Sequence, residues 1–293
     1  MSQVLHRPVA EPIEPLHSCP GGRYEDALVT VVHEPRGDGP PLRARAEGGR
    51  IVVSHRLAAG GSDDEVGVRL AEALAALTDD HEVFARAFTG VVLTTDRYAP
   101  RAWARFYRNT LDLIRDTAAP GYTGVYRHAL DLLPTTSVAD LGCSFGFLAL
   151  HLASRGTAAL AWDVDAGTTA LLRCMARTLR RDVDVRDDVH AIADGETDGV
   201  ALLHVLEHVD APTGRRLLAH ALRIARRRVV VAVPVEDVPD PLFGHVRRVG
   251  LDDLRDLGAE SGWTYDVHDH LGGWLVLDRT EGSTSTHLSG CAV

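Results

Sequence analysis

Lysine is absent from these 293 residues, so all 31 basic side chains are arginine. Together with abundant alanine, aspartate and glycine, that is a mark of coding in a GC-rich genome rather than of function. The acids number 41, which leaves a net charge of −10. A chain of that sign lacks the basic field that non-specific nucleic-acid binding needs, and nothing draws it to an anionic membrane surface. Long apolar runs are missing too. None reaches bilayer-spanning length, and the first residues, Met1-Ser-Gln-Val-Leu-His-Arg-Pro8, contain no secretory apolar core. Cysteine is scarce. Cys19, Cys143, Cys174 and Cys291 lie far apart with no C-x-x-C pair, which argues against disulfides and structural zinc and for reduced thiols in the cytoplasm. The length suffices for one large domain with an additional module.

The most informative segment is Thr136-Ser-Val-Ala-Asp-Leu-Gly-Cys-Ser-Phe-Gly-Phe-Leu-Ala-Leu-His151. It reads as a buried strand (138–141), a turn of small residues (Gly142, Ser144, Gly146) and an apolar helix. Glycine lets bare backbone approach a ligand there. Dinucleotide enzymes use a similar turn. Here, however, Asp140 stands at the strand tip, where a carboxylate would repel a pyrophosphate. A second acid, Asp163, ends the next apolar run about 20 residues on, where a ribose diol would lie. A cationic cofactor with an adenosine half, S-adenosylmethionine (SAM), suits both acids.

Residues 120–278 resemble a class I SAM-dependent methyltransferase. The turn Asp140-Leu-Gly-Cys-Ser-Phe-Gly146 is similar to the first motif of that family, with Ser144 where many members carry glycine. Asp163 is similar to its ribose-binding acid, and Asp198-Gly-Val-Ala-Leu-Leu-His-Val-Leu-Glu-His208 to its fourth strand and following loop. More narrowly, the chain resembles the actinobacterial methyltransferases of the mycofactocin oligosaccharide. The segments behind this are Arg105–Thr110, Cys143–Phe147, Arg226–Pro234, Phe243–Arg247 and Gly272–Asp278. The resemblance implies O-methylation of a carbohydrate hydroxyl, specifically a glucose of that oligosaccharide. Two alternatives stand beside it: another small-molecule acceptor (a phenol, quinone or secondary metabolite), or a non-catalytic SAM-binding partner protein.

The expected architecture is α/β: a Rossmann-like sheet of seven strands with helices on both faces, plus a small N-terminal α+β module. Residues 1–22 read as a flexible arm and 23–95 as the module, with strands at 26–33 and 50–56 across a Pro/Gly loop at 37–41. Ser62 and Glu65 form a capping-box pattern at a helix start. Residues 96–134 read as a helical lid or linker, 135–279 as the SAM-binding domain and 280–293 as a disordered tail. Strands are expected at 138–141, 158–162, 183–186, 199–203, 229–233, 264–267 and 274–277, alternating with helices.

Ligands of such sheets bind at the carboxyl ends of the strands. The expected cofactor contacts are Asp140, Gly142, Ser144 and Gly146 at the methionine end and Asp163 on the ribose. Asp187 or Asp188 would serve the adenine amino group, Val164 or Val189 the adenine ring, and His204 the loop beside it. A sugar hydroxyl is a weak nucleophile and needs its proton removed. His208 or His204 could act as base, oriented by Glu207, with His245 approaching the same mouth. Alternatively, His204, Glu207, His208 and His245 could hold a divalent metal. Their imidazoles would favour zinc, manganese or iron. The metal-free base is preferred, and bracing of the next helix is the bland alternative. Tyr98, Trp103, Phe106 and Tyr107 interleave with Arg97, Arg101, Arg105 and Arg108, either to stack on sugar or to form an amphipathic cover over the sheet. Trp274 reads as core, and Arg226–Arg228 as a solvated helix end. The sequence sets no oligomeric state.

Overall fold

The computed structural model describes residues 11–36, 38, 40–58, 61–116 and 123–280. The expected Pro/Gly loop lies partly, and the expected disordered tail almost wholly, outside the described residues, as does the start of the arm.

The chain opens with β1 (Arg23–Glu25), β2 (Val29–His33), β3 (Leu42–Glu47) and β4 (Arg50–His55), which form one sheet in the order β1-β2-β4-β3. Sequence reasoning found only the two inner strands, which pair in parallel. The edge strands lack a distinctive apolar pattern. Three helices follow: α1 (Glu65–Leu74), α2 (His81–Thr94) and α3 (Ala99–Arg115). The α1 face of Val66, Leu70 and Leu74 is fully buried. Its N-cap is Asp64 rather than Ser62, whose hydroxyl is buried without a partner.

The second sheet begins after α4 (Thr123–Leu132). Its strands and helices alternate: β5 (Ser137–Leu141), α5 (Phe147–Ser154), β6 (Ala158–Trp162), α6 (Ala166–Leu179), β7 (Val183–Arg186), β8 (Thr197–Leu203), α7 (Ala211–Ile224), β9 (Ala225–Val233), α8 (Leu251–Glu260), β10 (Thr264–Asp269) and β11 (Gly273–Asp278). The strand order is β10-β11-β9-β8-β5-β6-β7, with only β11 antiparallel to its neighbours. All seven expected strands are present.

Both faces of this sheet are buried, and period-2 alternation assigns its residues to two cores. Val229, Val231, Val233, Leu275 and Leu277 face α7 and α8. Val230, Ala232 and Trp274 face the opposite core, which runs without a break into the N-terminal module. There α3 supplies Trp103, Phe106 and Tyr107, none of them solvent-accessible. Their rings pack on Phe145 and Phe147 at 5.1–6.4 Å between centroids. Arg97, Arg101, Arg105 and Arg108 point outward, and Arg105 pairs with Asp96 at 2.8 Å. The amphipathic reading of α3 therefore holds. The aromatics, apart from half-exposed Tyr98, are closed to a sugar.

Two further expectations are corrected. Residues 11–22 are tied down rather than loose: Trp103 Nε1 donates to the Pro15 carbonyl, Arg86 to the Glu11 carbonyl, and the Ala99 N–H to Ser18 Oγ, while Cys19 is buried. These bonds satisfy groups that would otherwise be orphaned at the α3 N-terminus and inside the core. Arg226–Arg228 begin strand β9 rather than ending a helix. Arg226 pairs with Asp198 at 2.8 Å and Arg228 with Asp278 at 2.7 Å, so the strand extends past its apolar core. No helix among the described residues is long and apolar enough to cross a membrane.

Candidate active site

Five parallel strands end at one edge of the sheet, and the expected site residues gather there. The turn after β5 winds through the left-handed region at Gly142 (φ 75°), Ser144 (φ 47°) and Gly146 (φ 73°). Neighbouring side chains enforce glycine at two of these positions. A Cβ on Gly142 would lie 2.6 Å from Val205, and one on Gly146 would lie 2.5 Å from Leu172. The missing Cβ atoms thus serve packing against the loop after β8 and against α6. Ser144 occupies a conformation that non-glycine residues seldom adopt. Its N–H donates to Asp163 Oδ2 at 2.8 Å, which holds the turn against the β6 end.

Asp163 also accepts from the Asp165 N–H at 3.0 Å through its other oxygen. Both bonds aim the carboxylate, and each oxygen keeps acceptor capacity for a ribose hydroxyl. Asp140 is buried beneath the turn. Burial pushes its carboxyl up to about 7; the Asp163 charge adds to this, and the Ala149 N–H partly opposes it.

The adenine side is less complete. Asp187 is exposed and holds Arg173 at 2.6 Å, and Asp188 caps the short turn Val189–Ala191 by accepting from the His190 N–H. Val189 belongs to the core, while Val164 is 86% exposed beside Asp163.

After β8, His204 adopts φ 54°, again left-handed. Its Nδ1 lies 3.1 Å from Oε1 of Glu207, which is wholly buried. His208 closes the short turn Leu206–His208. The loop after β9 is stitched onto this turn: the Val246 and Arg247 N–H groups donate to the Glu207 carbonyl, and Arg247 Nε to the carbonyls of Leu206 and Val209. That stitching brings His245 beside His208, with ring centroids 4.9 Å apart. One ligand-capable atom from each of Glu207, His208 and His245 lies within 4.8 Å of the others. His204 stands outside that group.

Two partners escaped sequence reasoning. Glu236 binds His245 Nδ1 at 2.9 Å. His81, the first residue of α2, bonds to the Leu242 carbonyl at 3.0 Å through its Nδ1 and packs under Gly244. No local pattern could have found either, since each partner is reached only through the folded loop. A carbonyl or carboxylate accepts only, so the Nδ1 of His208, bonded to the Gly244 carbonyl at 3.2 Å, must carry its proton. The same holds for His245 against Glu236. In its neutral form each ring then presents a bare Nε2. The surrounding loop desolvates His208 and lowers its pKa, as does neighbouring His245, while Glu207 works in the opposite direction.

Residues 139–233 match the sequence model of a methyltransferase domain. That segment carries a methyltransferase domain. No curated protein matches its sequence. Among solved structures, it is similar to the magnesium protoporphyrin IX methyltransferase ChlM from Synechocystis PCC 6803 with bound SAM. That pair shares 17% identity over 62% of this chain and 84% of the other, at TM-score 0.44. An O-methyltransferase family protein from Burkholderia thailandensis shares 15% identity over 74% of this chain and 70% of its own, at TM-score 0.48.

A cofactor whose cationic end met Asp140 would bind in a pH-dependent way. The unfolded chain releases this proton near the ordinary carboxylate value of about 4. The folded chain keeps it up to about 7. Native stability from this group is therefore fully present below about pH 4 and is lost as pH rises toward 7. A cationic cofactor end at Asp140 favours the carboxylate, so binding expels the proton. SAM affinity is expected to rise from about pH 6 to about pH 8 and then level off. Asp140→Asn should flatten the profile. Calorimetry across this range checks it, and a flat profile in the wild type would rule out contact between Asp140 and the cofactor's charge.

Proposed function

We propose that this methyltransferase transfers the SAM methyl group to a carbohydrate hydroxyl, with a glucose of the mycofactocin oligosaccharide as the specific acceptor. The observation that carries the O-methyl reading is the imidazole pair. His208 and His245 each have the Nδ1 proton committed, which leaves basic Nε2 nitrogens beside the loop that follows β8. An alcohol needs such a base, because its own pKa lies far above neutrality. The acceptor oxygen loses its proton to His208 as it attacks the sulfonium methyl group. The sulfur–methyl bond breaks and S-adenosylhomocysteine departs. The sulfonium is already activated, so the remaining task is alignment. The Asp163 carboxylate fixes the ribose, and the Gly142–Gly146 turn fixes the methionine end.

A second reading, a phenolic or other small-molecule acceptor with an apolar body, is favoured by three exposed valines. Val235, Val238 and Val246 are 62–74% accessible in the loop that carries His245. A phenol ionises near pH 10 and depends less on a base.

The test is transfer from methyl-labelled SAM to oligoglucosylated mycofactocin, read by mass spectrometry. One labelled methyl on a glucose is expected. No label on the glycan, from protein that binds SAM, would overturn the carbohydrate acceptor and leave the second reading to be assayed with phenols.

A further inference from the structure

Glu207 is the least explained group in the molecule. Its side chain has no solvent exposure, and among the described residues no hydrogen bond reaches either carboxylate oxygen. His204 Nδ1, 3.1 Å from Oε1, lies outside hydrogen-bond geometry and supplies charge only when the ring is protonated. Burying a carboxylate without compensation costs several kcal/mol. A cation is the natural compensation, and the two neighbours of Glu207 are arranged for one.

We infer that Glu207, His208 and His245 bind one divalent transition-metal ion. Ligand-capable atoms of the three already lie within 4.8 Å of one another. Metal-bound histidines characteristically donate their second ring nitrogen to a carboxylate or carbonyl, which fixes the tautomer and aims the ligating nitrogen. Both histidines do so here: His245 Nδ1 to Glu236 and His208 Nδ1 to the Gly244 carbonyl. Two imidazoles and one carboxylate suit zinc or its first-row neighbours rather than magnesium or calcium, which take oxygen ligands. Zinc ligands sit about 2.0–2.2 Å from the ion. The three side chains must therefore draw together on binding. Three protein ligands leave a coordination position open. With the ion bound, His208 Nε2 is a ligand and no longer the base; the open position takes over that task by acidifying an acceptor hydroxyl. That use rests on the proposed O-methyl reading, whereas the binding of the ion does not.

The experiment uses full-length, tag-free protein that has been stripped with chelator and desalted. Zinc chloride is titrated by calorimetry, and bound metal is measured after a second desalting. About one equivalent per chain is expected. His245→Ala and Glu207→Gln should weaken binding at least ~100-fold, and Glu236→Gln about 10–100-fold. Circular dichroism shows which variants fold, and His245→Ala and Glu236→Gln suffice if Glu207→Gln does not. The inference is overturned if neither zinc, manganese nor iron(II) binds stoichiometrically, or if binding survives in the folded variants. Methyl transfer is assayed separately on stripped protein. Full transfer by the stripped protein would sink the Lewis-acid use of the ion and keep the acceptor, while the site itself stands or falls on the titration. One bound zinc with no transfer to any sugar would keep the metal site and sink the acceptor.

Discussion

Asp163→Ala is expected to weaken SAM binding about 100- to 1,000-fold. The two ribose hydroxyls would lose charge-assisted hydrogen bonds worth about 1.5–3 kcal/mol each, part of which water restores. Each 1.4 kcal/mol is a factor of ten in affinity. The change also frees the Ser144 and Asp165 N–H groups, which Asp163 holds at 2.8 and 3.0 Å. The left-handed Ser144 would then lose the bond that keeps it in place, so the turn loosens along with the ribose contact. Asp163→Asn separates the two effects. An amide keeps one acceptor oxygen, which can hold the Ser144 N–H and give up that of Asp165, while only one ribose hydroxyl finds its former partner. Calorimetric titration of SAM into each variant reads both losses. Affinity unchanged by the alanine substitution would remove Asp163 from the cofactor site altogether.

His208→Ala is expected to lower turnover about 100- to 10,000-fold, the usual worth of a positioned proton acceptor. SAM affinity should stay within about twofold, because the side chain faces the loop after β9 rather than the β5 turn. The ring has one structural bond, from Nδ1 to the Gly244 carbonyl. His208→Gln tests how much that bond matters, since its amide can still donate to a carbonyl but supplies no basic nitrogen. Recovery of turnover in the glutamine variant would make His208 a brace for the loop. Equal loss of SAM binding and turnover in the alanine variant would say the same.

The sheet was legible in the sequence because its strands are buried on both faces. Such strands are short apolar runs ended by an acid or glycine, as at Asp140-Leu-Gly142 and Trp162-Asp163, and the ligand edge follows from those ends. Residues whose role depends on a distant partner were not legible. The three arginines at 226–228 look like a solvated helix end until Asp198 and Asp278 arrive from neighbouring strands to pair with Arg226 and Arg228. The aromatic run of α3 has the same spacing whether it stacks on sugar or packs on Phe145, and only the fold chooses the second. Asp188 reads equally as an adenine partner and as a turn cap, and the His190 N–H engages it as a cap. Glu236 and His81 reach the site through a loop whose path local sequence does not encode.

The joined core has a consequence for modularity. Phe145, inside the cofactor turn, is packed by Trp103, Phe106 and Phe88 from the N-terminal half. A cut ahead of β5 would strip three rings from the outer face of the turn and leave a large apolar surface bare. The N-terminal half therefore cannot be exchanged as a cassette. It forms the back wall of the turn after β5, and the two halves must be inherited, folded and altered together.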